Sequence, residues 1–207
     1  MYLLSSSRRN PETVTAAQTR VTLVVYKEIV AGDMRKLLAE SNDSRTGGGA
    51  RDLRLPAKVF AHVMDQIFTR ENVGPGGQPI RIADVIYLDG DGEPQTTQLE
   101  YWPPTRSRPS ESRIARIHAS PALGGHMPET DRGRVFVFFT KFNDGTIRCD
   151  YAYEDQLRNG EWAHELSSAV LSCLASADMK NGTRPANMVP AQGYYDFAAG
   201  TGYCHAD

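Results

Sequence analysis

Short runs of β-branched and aromatic residues, cut by Gly-, Pro- and Asn-rich turns, dominate the hydrophobic pattern of this chain. RVTLVVYKEIV (20–30) reads as a strand, and MRKLLAES (34–41) fits a short helix or a second strand. SNDSRTGGGA (41–50) holds an Asn-Asp pair and three consecutive glycines, the composition of a loop. RDLRL (51–55) is a short strand ending at Pro56. From Pro56 onward, Val59, Phe60, Val63, Met64 and Ile67 recur at helical spacing, and a proline suits a first helical turn. The pattern predicts one helix there, then a Gly/Pro-rich loop over 69–79.

A series of strands is predicted next. IRIADVIYL (80–88) turns at Asp89–Gly92 into TTQLEYW (96–102), and RIARIHA (113–119) follows a loop. RVFVFFTKF (134–142) is the strongest strand signal, and Asn143-Asp144-Gly145 turns it into TIRCDYAY (146–153) as a hairpin. EWAHELSSAVLSCLAS (161–176) predicts a helix with Ala163, Leu166, Val170, Leu171 and Leu174 on its buried stripe. The expected architecture is mainly β with two or more helices, in one α+β or barrel-like domain. Its body spans 19–177, after a flexible arm over 1–18 rich in Ser, Thr, Arg and Pro. A polar tail over 178–207 carries Tyr194, Tyr195, Phe197 and Tyr203, which can pack across the barrel.

Composition narrows the function classes. The chain has 207 residues, 40% apolar and 23% charged, enough for one globular core. No apolar run approaches the roughly 18 residues that cross a bilayer, and MYLLSSSRRN lacks the apolar stretch of a secretory leader, so no membrane partner is expected. Cys149, Cys173 and Cys204 are odd in number and widely spaced, which predicts reduced thiols in the cytoplasm rather than a disulfide framework or zinc site. Cys173 falls on the apolar side of its helix, a core position.

Catalytic motifs are sparse. His62, His118, His126, His164 and His205 form no ligand-spaced pair, and Gly47-Gly48-Gly49 lacks the Lys-Ser/Thr that ends a phosphate loop. Asp150, Glu154 and Asp155 are the nearest set to a Mg²⁺ nuclease centre, but no acidic-x-Lys strand element accompanies them. No catalytic residue, metal ligand or cofactor is assigned.

Net charge is −2, so any nucleic-acid binding must rest on local arginines and not on a broadly basic face. Two segments concentrate them. Arg45, Arg51 and Arg54 surround the glycine loop, and TRSRPSESRIAR (105–116) carries Arg106, Arg108, Arg113 and Arg116 against the single carboxylate Glu111. Arginine takes guanine O6 and N7 together, glutamate accepts from cytosine N4, and hydroxyls and amides hold phosphates. A solvated loop with internal ion pairs is the alternative reading of the same residues.

SNDSRTGGGARDLRLP (41–56) resembles a motif near the start of the effector-DNA-binding domain of the EcoRII restriction endonuclease family, and SESRIARI (110–117) is similar to its Glu-x-Arg-Ile-x-Arg element. The order is kept by ETDRGR before VFVFF and by YAYED after it, over roughly residues 20–157. The resemblance implies a DNA-binding pseudobarrel, an open β-barrel also used by plant transcription factors, whose two arms clamp the major groove. It implies DNA contacts at Gly49, Arg51 and Arg54 in one arm. Arg108, Glu111, Ser112 and Arg113 match in the other, with Arg106 depending on how the loop aligns. Arg45 and Arg116 join the set from the basic clusters themselves. Gly49 and Arg54 stand where the family member has His and Tyr, and Ser112 where it has Lys, so the same DNA site is not implied. No counterpart of that enzyme's nuclease domain is expected within these 207 residues. The expected role is recognition of double-stranded DNA within a restriction-modification or antiviral defence system, alone or beside a nuclease or other defence subunit. The alternatives are a protein-interaction module of such a complex and a small Mg²⁺ nuclease.

Overall fold

The structure, a computed structural model, describes residues 19–38, 52–89, 91–115, 117, 133–161, 164–181 and 189–205. It is mainly β, an open and strongly curled half-barrel. The elements run β1 (Val21–Glu28), α1 (Ala31–Leu38), β2 (Leu53–Pro56), α2 (Ala57–Phe60), α3 (Met64–Ile67), β3 (Arg70–Val73), β4 (Pro79–Leu88) and β5 (Pro94–Trp102). They continue with β6 (Glu111–Ala115), β7 (Val135–Phe142), β8 (Ile147–Tyr153), α4 (Glu154–Arg158), α5 (His164–Asn181), β9 (Gln192–Asp196) and β10 (Thr201–Cys204).

All ten strands join one sheet in the order β10-β9-β1-β7-β8-β4-β5-β6-β2, with β3 paired to β4 outside that path. Its neighbours are antiparallel except at one place. There β4 meets β8 in parallel through the single registered pair Ile86 and Arg148.

Alternation along the central strands explains their composition. Leu23 and Val25 of β1 and Val135, Val137 and Phe139 of β7 point into the barrel, where they meet Leu53, Phe60, Ile67, Phe68, Leu99 and Tyr101. Val24, Tyr26, Phe136 and Phe138 point the other way, beneath Leu166, Val170 and Leu174 of α5. Both faces are covered, so the pattern is an unbroken apolar run rather than an alternation. The β7–β8 hairpin turns at Gly145, whose φ of 86° is in the left-handed region.

Several expectations change. The helix predicted from Pro56 is two single turns. Pro56 stays in β2, and Val63 N–H bonds the Phe60 carbonyl three residues back, tightening the link between α2 and α3. Helical periodicity survives such a tightening, so the apolar pattern could not reveal it. Within the predicted loop over 69–79, Arg70–Val73 is an exposed strand on the edge of β4. Its polar sequence suits an edge, where charge discourages further pairing.

The stretch expected as a tail supplies β9 and β10, with β9 hydrogen-bonded along β1. Gly193 admits the close crossing of β10, because a Cβ there would lie 2.0 Å from the Tyr203 carbonyl oxygen. Tyr194 hydrogen-bonds His62 at 2.9 Å, while Tyr195 and Phe197 pack beneath α5. The same crossing corrects the reading of the cysteines. Cys173 of α5 and Cys204 of β10 have Cα atoms 5.4 Å apart and form a disulfide, whereas Cys149 is a buried free thiol. Sequence spacing is blind to this pairing, which depends on where β10 lands.

Two ion pairs neutralise buried charges within the fold. Lys27 pairs with Asp33, and Glu28 with Arg134. Arg134 also binds Asp178 of α5 at 2.6 Å. Among the described residues, no helix is long and apolar enough to cross a membrane.

Candidate nucleic-acid interface

β2 closes one end of the sheet order, beside β6 and β5. Arg54 of β2 is registered opposite Arg113 of β6, which is registered opposite Trp102 of β5. Period-two alternation sends Leu53, Leu55, Ile114 and Tyr101 to the core and leaves this Arg-Arg-Trp row on the other face. The connection from β5 to β6 is pinched by a tight turn. Thr105 and Arg108 exchange backbone hydrogen bonds at 3.3 and 3.0 Å, which puts Arg106 and Ser107 at an exposed tip.

A groove of about 410 Å³ opens over this row, walled by Arg54, Arg108, Glu111, Arg113 and Trp102. Glu111 lies 3.4 Å from Arg54 and 4.0 Å from Arg108. Arg113 binds Asp52 at 2.6 Å and lies with its guanidinium carbon 4.5 Å above the centre of the Trp102 ring. Three arginines against two carboxylates leave the groove with a small positive excess.

The structure thus brings Arg54, Arg108, Glu111 and Arg113 together from segments more than fifty residues apart in sequence. Arg106 sits on the nearby tip and does not line the groove. Ser112 lies in the groove lining but is 2% exposed, and its hydroxyl donates to the Leu55 carbonyl at 3.3 Å, which ties this side chain to the fold. Alternation decides this, since Ser112 falls between the outward residues Glu111 and Arg113. Arg45, Gly49, Arg51 and Arg116 lie outside the described residues.

Sequence reasoning missed Asp52 and Gln78, both at or beside the groove. Asp52 precedes Arg54 by two positions, which signals a shared strand face. Its meeting with Arg113 becomes visible only once the β2–β6 register is known.

Two of the three acidic residues weighed as a nuclease centre are held in ion pairs. Asp150 lies 3.3 Å from Arg148, and Glu154 lies 2.6 Å from Arg158. Among the described residues, no group of three or more His, Cys, Asp or Glu is placed to hold a metal ion. Burial pushes the Asp150 carboxyl above the ordinary aspartate range, against the opposing pull of Arg148. The folded state therefore holds its proton more tightly than the unfolded chain. That contribution is fully present below the ordinary aspartate value and is lost as pH rises through the folded one. Asp150→Asn is accordingly expected to stabilise the fold at pH 7 and to make little difference near pH 3, which urea unfolding at the two pH values checks. Burial likewise pushes the Cys149 thiol far up, keeping it protonated and unreactive.

Fold and groove together define an open β half-barrel with an arginine groove near one end of its sheet. Comparison with protein-family models, curated proteins and solved structures finds no match.

Proposed function

We propose that the chain is a sequence-specific double-stranded DNA-binding module. The observation that carries this reading is the convergence of Arg54, Arg108 and Arg113 on one groove beside Trp102. Arginines presented beside a hairpin tip suit entry into a major groove, where guanidinium forks meet guanine and phosphate. Arg106 on the tip adds a cation at the rim. The resemblance to the effector-DNA-binding domain of the EcoRII family supports the same reading, including a cytoplasmic role in a restriction or phage-defence system beside a nuclease or other subunit.

The test is duplex binding by fluorescence anisotropy at moderate salt. Arg108→Ala and Arg113→Ala are each expected to weaken a selected G·C-containing site by about 1–3 kcal/mol. Unchanged affinity in both variants would sink the mechanism.

A second reading, a protein-interaction module of a defence complex, is favoured by one feature. Glu111 and Asp52 already neutralise much of the groove, which also suits a mixed-charge protein surface. Recovery of a defined defence subunit in a pulldown, with duplex binding absent at low salt, selects this reading over the first.

A further inference from the structure

Arg113 is held differently from its two neighbours. The Arg54 and Arg108 side chains are 45% and 57% exposed and share Glu111 at the groove wall. Arg113 is 26% exposed, donates from Nη1 to Asp52 Oδ2 at 2.6 Å, and stacks on Trp102. Both of its supports are themselves fixed. The Asp52 side chain is 6% exposed. The Trp102 indole N–H donates to Glu100 at 3.3 Å, and its ring lies so near Gly74 that a Cβ there would stand 3.1 Å away.

Burying a carboxylate is costly unless its partner's geometry is good. Joining β2 to β6 does not require it, since four registered residue pairs already do so. What the ion pair adds is orientation. A guanidinium carries five N–H donors in one plane. With Nη1 taken by Asp52 and one face covered by Trp102, the plane is set, and among the described residues no further hydrogen bond takes the donors on the remaining edge. An arginine fixed in this way loses little rotamer freedom on binding. Its charge is partly balanced, so it adds less to indiscriminate phosphate attraction than to base reading.

We propose that Asp52 is a positioning residue which, with Trp102, presets Arg113 to read a guanine, while Arg54 and Arg108 reorient onto phosphates. This rests on the DNA-binding reading above.

The experiment is parallel selection from randomised duplex DNA with the full chain as wild type, Asp52→Asn and Arg113→Lys, with affinity for a scrambled duplex and the thermal midpoint measured alongside. In the wild-type site, one G·C position is expected to lose its preference by about tenfold or more in both variants. Affinity of Asp52→Asn for the scrambled duplex should hold or rise, because a negative charge is gone. A tie that only holds strands together behaves otherwise: Asp52→Asn then lowers the midpoint and weakens every duplex equally, and that result overturns the proposal. So does full retention of the guanine preference. If Asp52→Asn fails to fold, Arg113→Lys decides, and its keeping that preference overturns the proposal. Wild-type protein that binds no duplex removes the DNA-binding reading itself, an outcome distinct from binding that Asp52→Asn leaves unchanged.

Discussion

Arg134→Met lowers the stability of the fold by about 3–5 kcal/mol, the cost of leaving a buried charge without its partner. Arg134 holds Glu28 with two hydrogen bonds, Nε to Oε1 at 2.8 Å and Nη2 to Oε2 at 3.0 Å, and the Glu28 side chain is 4% exposed. Glu28 Oε2 also accepts the Ala191 N–H at 2.9 Å, so the carboxylate joins β1 to the segment entering β9. These bonds, with that to Asp178, hold the guanidinium proton still more firmly than usual, although burial opposes the charge. A domain of this kind has a total stability of about 5–15 kcal/mol, so the loss is a large share of it. Urea unfolding of Arg134→Met checks the figure. The double variant Glu28→Gln, Arg134→Met should recover part of the loss, because the buried charge is then absent. A single variant as stable as wild type contradicts the account.

The second large effect is at the disulfide. Breaking Cys173–Cys204, which closes a 31-residue separation, should cost about 3–4 kcal/mol if loop-closure entropy dominates. Cys204→Ser and chemical reduction should give similar losses, measured by the denaturant midpoint with and without a dithiol. Sensitivity of the wild type to dithiol and insensitivity of Cys204→Ser is the signature; equal sensitivity of both contradicts it. Disulfides are rare in a reducing cytosol, so in a cytoplasmic setting β10 would be held by packing and backbone pairing alone. Reduction should therefore be felt first at β9, β10 and α5, far along the sheet order from the arginine groove.

Local pattern made the central strands legible and left their partners unread. VFVFF and the Asn143-Asp144-Gly145 turn located β7 and β8, because a strand buried on both faces and a tight turn each have a local signature. The Arg segments were legible as local clusters of charge, around the glycine loop and in TRSRPSESRIAR. The bond from Ser112 to Leu55 was not legible, because a hydroxyl suits either a phosphate or a buried carbonyl, and only the face on which it falls decides. β9 and β10 were unreadable because QGYYD and TGYC are short and glycine-broken, and β9 joins the sheet through β1, far away in the chain. Asp52 and the Cys173–Cys204 bond share that difficulty: each depends on a partner set by strand register or crossing.

The lone parallel pair between Ile86 and Arg148 makes the sheet two antiparallel ribbons meeting at a one-rung seam. One ribbon carries the arginine edge, the other the disulfide and α5. A long ladder fixes alignment directionally, rung by rung. Here much of the task passes to the core side chains that the two ribbons share, among them Val85, Leu99, Phe139 and Cys149. Packing of this kind resists compression well but sets angles only through volume. The pose of the arginine edge relative to the clamped ribbon is therefore written in the sizes of those side chains.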